Sequence, residues 1–94
     1  MKLQRQEICV QIERIIIELN ENYRRLNINI EPLNRKIAFD IYSNLIDLAF
    51  NFQEKVINEK ILIEKLKKIL FTLNIIGSQL PILDKLIKEL NENT

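Results

Sequence analysis

LNRKIAFDIYSNLIDLAFNFQEKV, Leu33 to Val56, is the stretch whose reading decides the fold. At about 100° per residue, Ala38, Tyr42, Leu45, Ala49, Phe52 and Val56 fall on one line of a helix. Ile41 and Leu48 widen that stripe on one side, and Phe39, Ile46 and Phe50 widen it on the other. Lys36, Asp40, Ser43, Asp47, Asn51 and Glu54 are left as a narrow polar strip. A surface helix shows one apolar stripe and a broader polar face, whereas a helix apolar on most sides has neighbours around it. The stretch therefore reads as the central, most buried helix of a bundle.

Upstream of it, Ile8, Ile12, Ile15, Ile16, Leu19, Tyr23 and Leu26 form a stripe at spacings of three and four, which predicts a first helix from about Leu3 to Leu26. Leu3, Val10 and Ile17 repeat every seven residues on nearly the opposite side. Such a second stripe is either covered by long neighbouring side chains or makes a subunit contact. NINIEP, Asn27 to Pro32, reads as an ordered loop, because its two isoleucines have no second strand to pair with. Pro32 disfavours helical geometry at Glu31 and can open the helix that follows.

Downstream, Val56 to Ile63 is rich in β-branched residues and would pass for a strand in isolation. The longer window, VINEKILIEKLKKILFTLNII, decides for a helix: Leu62, Leu66, Ile69, Leu70, Leu73 and Ile76 keep a helical period. Asn58 is placed to cap its start, and Gly77, the sole glycine, falls where a left-handed C-terminal residue is wanted. Phe71 and Ile75 lie opposite the main stripe of this helix. Ser78 can cap a fourth helix with Pro81 in its first turn, and Leu83, Leu86, Ile87 and Leu90 make its apolar face. The fold expected is an all-α, antiparallel four-helix bundle with helices near residues 3–26, 33–55, 58–76 and 79–91. One domain spans 1–94.

Composition agrees with this. The 94 residues are 47% hydrophobic with one glycine and two prolines, the signature of a folded chain with few turns and long helices. Fourteen basic residues against thirteen acidic give +1, so net charge advertises neither nucleic acid nor a membrane surface. No apolar run approaches the ~20 residues that span a bilayer. The N-terminus lacks the apolar block of a signal peptide, so a cytoplasmic location and no membrane partner are expected.

The residues that usually carry chemistry are scarce. There is no histidine, which removes the commonest metal ligand and the commonest general base. No phosphate-binding or dinucleotide glycine pattern occurs. Asp40, Asp47 and Glu54 recur along the polar strip, but Asp40 and Asp47 are ~10 Å apart on a helix, too far to share one ion. Cys9, the single cysteine, reads as a partly buried structural thiol with no basic neighbourhood at helical spacing. No catalytic residue, metal or cofactor is expected. Two basic groups remain: Arg24, Arg25, Arg35 and Lys36 around the first turn, and Lys60, Lys65, Lys67 and Lys68 on the third helix. Ordinary solubility explains them, and phosphate contact is the alternative.

EPLNRK at Glu31–Lys36, the long apolar helix IAFDIYSNLIDLAF, the leucine-spaced EKLKKILFTLNIIG and the closing LPILDKLIKELNE occur in an order that resembles one known family. It is the four-helix-bundle family of 23S rRNA intervening-sequence proteins and the accessory variability proteins of diversity-generating retroelements. The resemblance implies a ring-like homopentamer and, in the retroelement branch, binding of a reverse transcriptase and of RNA or DNA. The function expected is then a non-catalytic accessory or adaptor protein. It would be homo-oligomeric through Leu3, Val10, Ile17, Phe71 and Ile75, and would touch nucleic acid through Arg24, Arg25, Arg35 and Lys36. The other reading open at this point is a partner-specific regulatory protein, such as an antitoxin or immunity protein, with no nucleic-acid binding.

Overall fold

A computed structural model describes residues 4–25, 32–76 and 80–92, with side chains at 4–21, 35–76 and 80–92. It contains four helices: α1 (Arg5–Arg25), α2 (Pro32–Gln53), α3 (Glu59–Ile75) and α4 (Pro81–Glu92). α1 packs against α2 and α4, and α3 packs against the same two, so α1 and α3 stand on one diagonal and α2 and α4 on the other. The start of α1 meets the end of α2, where the Arg5 guanidinium reaches the Phe52 carbonyl. The end of α1 meets the start of α2, where Leu19 and Asn20 share a depression with Arg35 and Ala38. Ile37 near the start of α2 likewise shares one with Thr72 near the end of α3. These pairs run antiparallel, as short connections require.

Each helix start is explained locally. Pro32 and Pro81 open α2 and α4, where a missing N–H costs nothing and the ring's fixed φ suits the helix. Asn58 caps α3: its side-chain oxygen accepts from the Ile61 N–H at 2.9 Å, a bond worth about 1 kcal/mol. The first carbonyl of α4 belongs to Leu80, which accepts from the Leu83 N–H at 3.0 Å, so the described chain enters the helix at Leu80. A leucine has no acceptor to offer there, and its side chain is buried in the core instead. Ser78 and Gly77 lie outside the described residues, as do Leu26 and the Asn27–Glu31 loop.

The end of α2 is built twice over. Val56 N–H bonds the Asn51 carbonyl at 2.8 Å and Lys55 N–H bonds the Phe52 carbonyl at 3.2 Å, the paired bonds of a Schellman motif. Lys55 takes the left-handed position at φ 63°, a place that favours glycine by about 1–2 kcal/mol. Arg5 then crosses from α1, donating to that same Phe52 carbonyl, with its guanidinium 4.4 Å from the centre of the Phe52 ring. One cation thus serves both the negative end of α2 and an aromatic face.

The core is apolar throughout: Ile8, Ile12, Ile15 and Leu19 from α1, Leu62, Leu66 and Leu73 from α3, and Leu83, Leu86, Ile87 and Leu90 from α4 are all buried. No polar or charged side chain is buried among the described residues. The expectation for α2 needs correcting. Its inward line is Ala38, Ile41, Leu45, Leu48 and Phe52, with Tyr42 and Ala49 at its edge against α1. Phe39, Ile46 and Phe50 are 67%, 43% and 61% exposed, and Val56 lies beyond the helix end and is exposed too. α2 is thus not the most buried helix of the bundle. A four-helix ring offers each member two neighbours, α2 has α1 and α3, and its third apolar flank has nothing to cover it.

Candidate interaction surfaces

With no polar group in the core, every described side chain able to do chemistry lies at or near the surface. Three outward apolar groups interrupt that surface. Val10 and Ile17 stand opposite the core line of α1; Phe39, Ile46 and Phe50 follow α2 on the flank next to α1; Phe71 and Ile75 stand opposite the core line of α3. Of the five interface positions expected from sequence, Val10, Ile17, Phe71 and Ile75 are exposed, at 40%, 60%, 67% and 68%. Leu3 lies outside the described residues.

The α1 and α2 groups belong to one face. Between the two helices run two shallow depressions, one of about 330 Å³ bordered by Asn20, Arg35, Phe39 and Tyr42, the other of about 470 Å³ bordered by Arg5, Val10, Glu13 and Gln53. The second α2 edge is different in kind. Asn44, Asp47 and Asn51 face Lys65 and Lys68 across a polar groove of about 320 Å³ on the α3 side. Asp40, Asp47 and Glu54 are exposed, and no cluster of three or more potential metal ligands occurs among the described residues.

The basic groups divide in the same way. Arg35 and Lys36 are exposed in the first turns of α2, and the α1 backbone carrying Arg24 and Arg25 ends at that same end of the bundle. The Arg24 and Arg25 side chains are outside the described residues. Lys60, Lys65, Lys67 and Lys68 are all exposed on α3.

Cys9 sits half-buried on the α1 side facing α2, with its Sγ 3.9 Å from the Ala49 carbonyl, a weak S–H contact. Burial pushes its thiol above the ordinary value; Arg5 pulls the other way and Glu13 adds to the rise. Arg5 is one helical turn before Cys9, a basic neighbour that the sequence reading overlooked. Its charge is engaged at the end of α2, so the thiol stays in its protonated, unreactive form.

Fold and surface together define an antiparallel four-helix bundle with an apolar core and outward apolar faces. No helix among the described residues is long and apolar enough to cross a membrane. Compared with protein-family models, curated proteins and solved structures, the chain matches none. The likeness to the intervening-sequence and accessory variability proteins therefore rests on the order of features in the sequence.

Proposed function

We propose that this protein is a non-catalytic accessory module that works by binding, assembling with itself and docking a protein partner. The observation that carries the reading is the eight large apolar side chains that α1, α2 and α3 hold outward, four of them more than 60% exposed. Single exposed apolar residues are ordinary, whereas contiguous groups on three helices of one small bundle mark surfaces that meet other molecules. Phe39 and Phe50 are the strongest anchors, since an aromatic ring brings large area at little conformational cost.

Following the sequence resemblance, the partner would be a reverse transcriptase and the assembly a ring of five. RNA or DNA would bind the end of the bundle bearing Arg24, Arg25, Arg35 and Lys36. Four charges per chain are feeble at physiological salt, and repetition around an assembly turns weak contacts into useful avidity.

The test is affinity capture from the source cell with wild-type protein and the Phe39→Ser/Phe50→Ser variant in parallel. A specific protein retained by the first and lost by the second, with the helical signal unchanged, is the expected result. Equal recovery by both, or none by either, contradicts partner docking through this face. For nucleic acid, a low-salt shift assay should show binding by wild type and its loss on charge reversal at Arg24, Arg25, Arg35 and Lys36. Wild-type protein that shifts neither RNA nor DNA would leave a protein-only module, the antitoxin-like or immunity-like alternative included.

A further inference from the structure

The edge of α2 away from α1 carries a surface of another kind. Asn44, Lys68 and Ile69 border two depressions at once, one of about 320 Å³ reaching to Asn51 and Lys65, the other of about 300 Å³ reaching to Ile37 and Thr72. The two are therefore one cleft along the α2–α3 seam. Asp40, Asn44, Asp47 and Asn51 follow its α2 wall at helical spacing, and Lys65 and Lys68 stand on the α3 wall. Ile41, Leu48 and Ile69 close the floor.

The polar groups of this cleft are not used within the chain. Among the described residues, neither Asn44 nor Asn51 makes a side-chain hydrogen bond, and no ion pair joins Lys65 or Lys68 to Asp40 or Asp47. Walls of opposite sign that do not touch leave a gap that a third group can fill. Asparagine is also a poorer helix former than Ala, Gln or Lys, so two of them inside α2 weaken the helix and gain no bond in return.

We propose that the α2–α3 cleft holds an extended, acidic peptide segment of another protein, its main chain clasped by Asn44 and Asn51 and its carboxylates taken by Lys65 and Lys68. A carboxamide carries a donor and an acceptor side by side, so it can bond both the C=O and the N–H of a peptide. Asn44 and Asn51 are seven residues apart, ~10.5 Å along the helix axis, and three residues of extended chain cover ~9–10 Å. The two amides thus reach successive turns of a polyproline-II-like strand. A helix fits less well, because it is ~10–12 Å across and needs an apolar bed. The floor residues Ile41, Leu48 and Ile69 are at most 8% exposed, enough for one small side chain pointing down. Asp40 and Asp47 repel the ligand's carboxylates toward the α3 wall, where the lysines make charge-assisted bonds, and accept its free N–H groups. The site lies on the opposite edge of α2 from Phe39 and Phe50 and does not depend on that face.

An array of random seven-residue peptides probed with the full chain tests this, the strongest binders being measured in solution by fluorescence polarisation. Wild type should select peptides enriched in Asp and Glu. Asn44→Ala/Asn51→Ala should bind them at least roughly tenfold more weakly, with thermal stability unchanged or slightly raised, because alanine favours the helix. Lys65→Glu/Lys68→Glu should lose the acidic peptides and select basic ones in their place. Phe39→Ser/Phe50→Ser should bind as wild type does. An array on which wild type selects nothing overturns the proposal, as does selection that the cleft variants retain. A fall in stability of the asparagine variant would also count against it, by showing the amides at work inside the fold. Peptides lost by Phe39→Ser/Phe50→Ser would belong to the apolar face and not to the cleft, and docking on that face is decided by the capture experiment.

Discussion

α4 and α2 use their apolar residues in contrasting ways. α4 is twelve residues long, and its Leu83, Leu86, Ile87 and Leu90 are all buried while no large apolar side chain on it is exposed. α2 is 22 residues long, fills the core with Ala38, Ile41, Leu45, Leu48 and Phe52, and still holds two phenylalanines and an isoleucine outward. One stripe satisfies the bundle, and α4 has only that. The surplus on α2 adds little to the packing of a single chain, and it is the observation on which the proposed docking face is built.

The largest effects should come from the inward lines, which the two helices share. Leu45→Ala in α2 and Leu86→Ala in α4 should each lower stability by about 2–5 kcal/mol in denaturant unfolding. A loss below about 1 kcal/mol at Leu45 would mean that α2 is rotated from the position described. Next is the clamp at the end of α2. Arg5→Ala removes both the guanidinium bond to Phe52 and the ring contact, and should cost about 1.5–3 kcal/mol. At the same helix end, Lys55→Gly should raise stability by up to about 1 kcal/mol by relieving the left-handed lysine. Phe39→Ser and Phe50→Ser should each move the stability of dilute protein by no more than about 0.5 kcal/mol, sharpening the contrast with Leu45.

The smallest effect concerns pH. Because the Cys9 thiol is raised in the folded chain, its contribution is fully present below the unfolded thiol value of about 8.5 and is lost as pH rises through the folded value. Wild type should therefore lose stability relative to Cys9→Ala across that alkaline window. Parallel stability curves for the two proteins would contradict the burial described.

Most of the architecture was legible because helical periodicity is a local property. The stripe of α4 matches its buried residues one for one. Of their stripes, α1 buries Ile8, Ile12, Ile15 and Leu19 and α3 buries Leu62, Leu66, Ile69 and Leu73, with Ile16, Leu70 and Ile76 half-buried and Ile63 buried unforeseen. Tyr23 and Leu26 are outside the described side chains; Pro32, Asn58 and Pro81 marked where helices begin. What failed in α2 was a question of neighbours. Its pattern states that three flanks are apolar, but not whether the third is covered by the same chain, and Phe39, Ile46 and Phe50 turned out uncovered. The burial of Leu80 was not foreseen, because it sits just ahead of the α4 stripe. The Arg5 clamp joins residues 47 apart in sequence and leaves no local pattern. The outward stripes on α1 and α3 were visible from the start, while the diagonal placing of the two helices needed the tertiary contacts.

The contrast within α2 is tested most directly by thiol labelling of single cysteines in a Cys9→Ala background. Phe39→Cys and Phe50→Cys should react in dilute protein about as fast as in the unfolded chain. Leu45→Cys and Phe52→Cys should react slower by a factor of about a thousand or more, since labelling then waits on opening of the core. Fast labelling at Leu45→Cys together with protection at Phe39→Cys in dilute protein would contradict the account, because the outward face of α2 would then be its core.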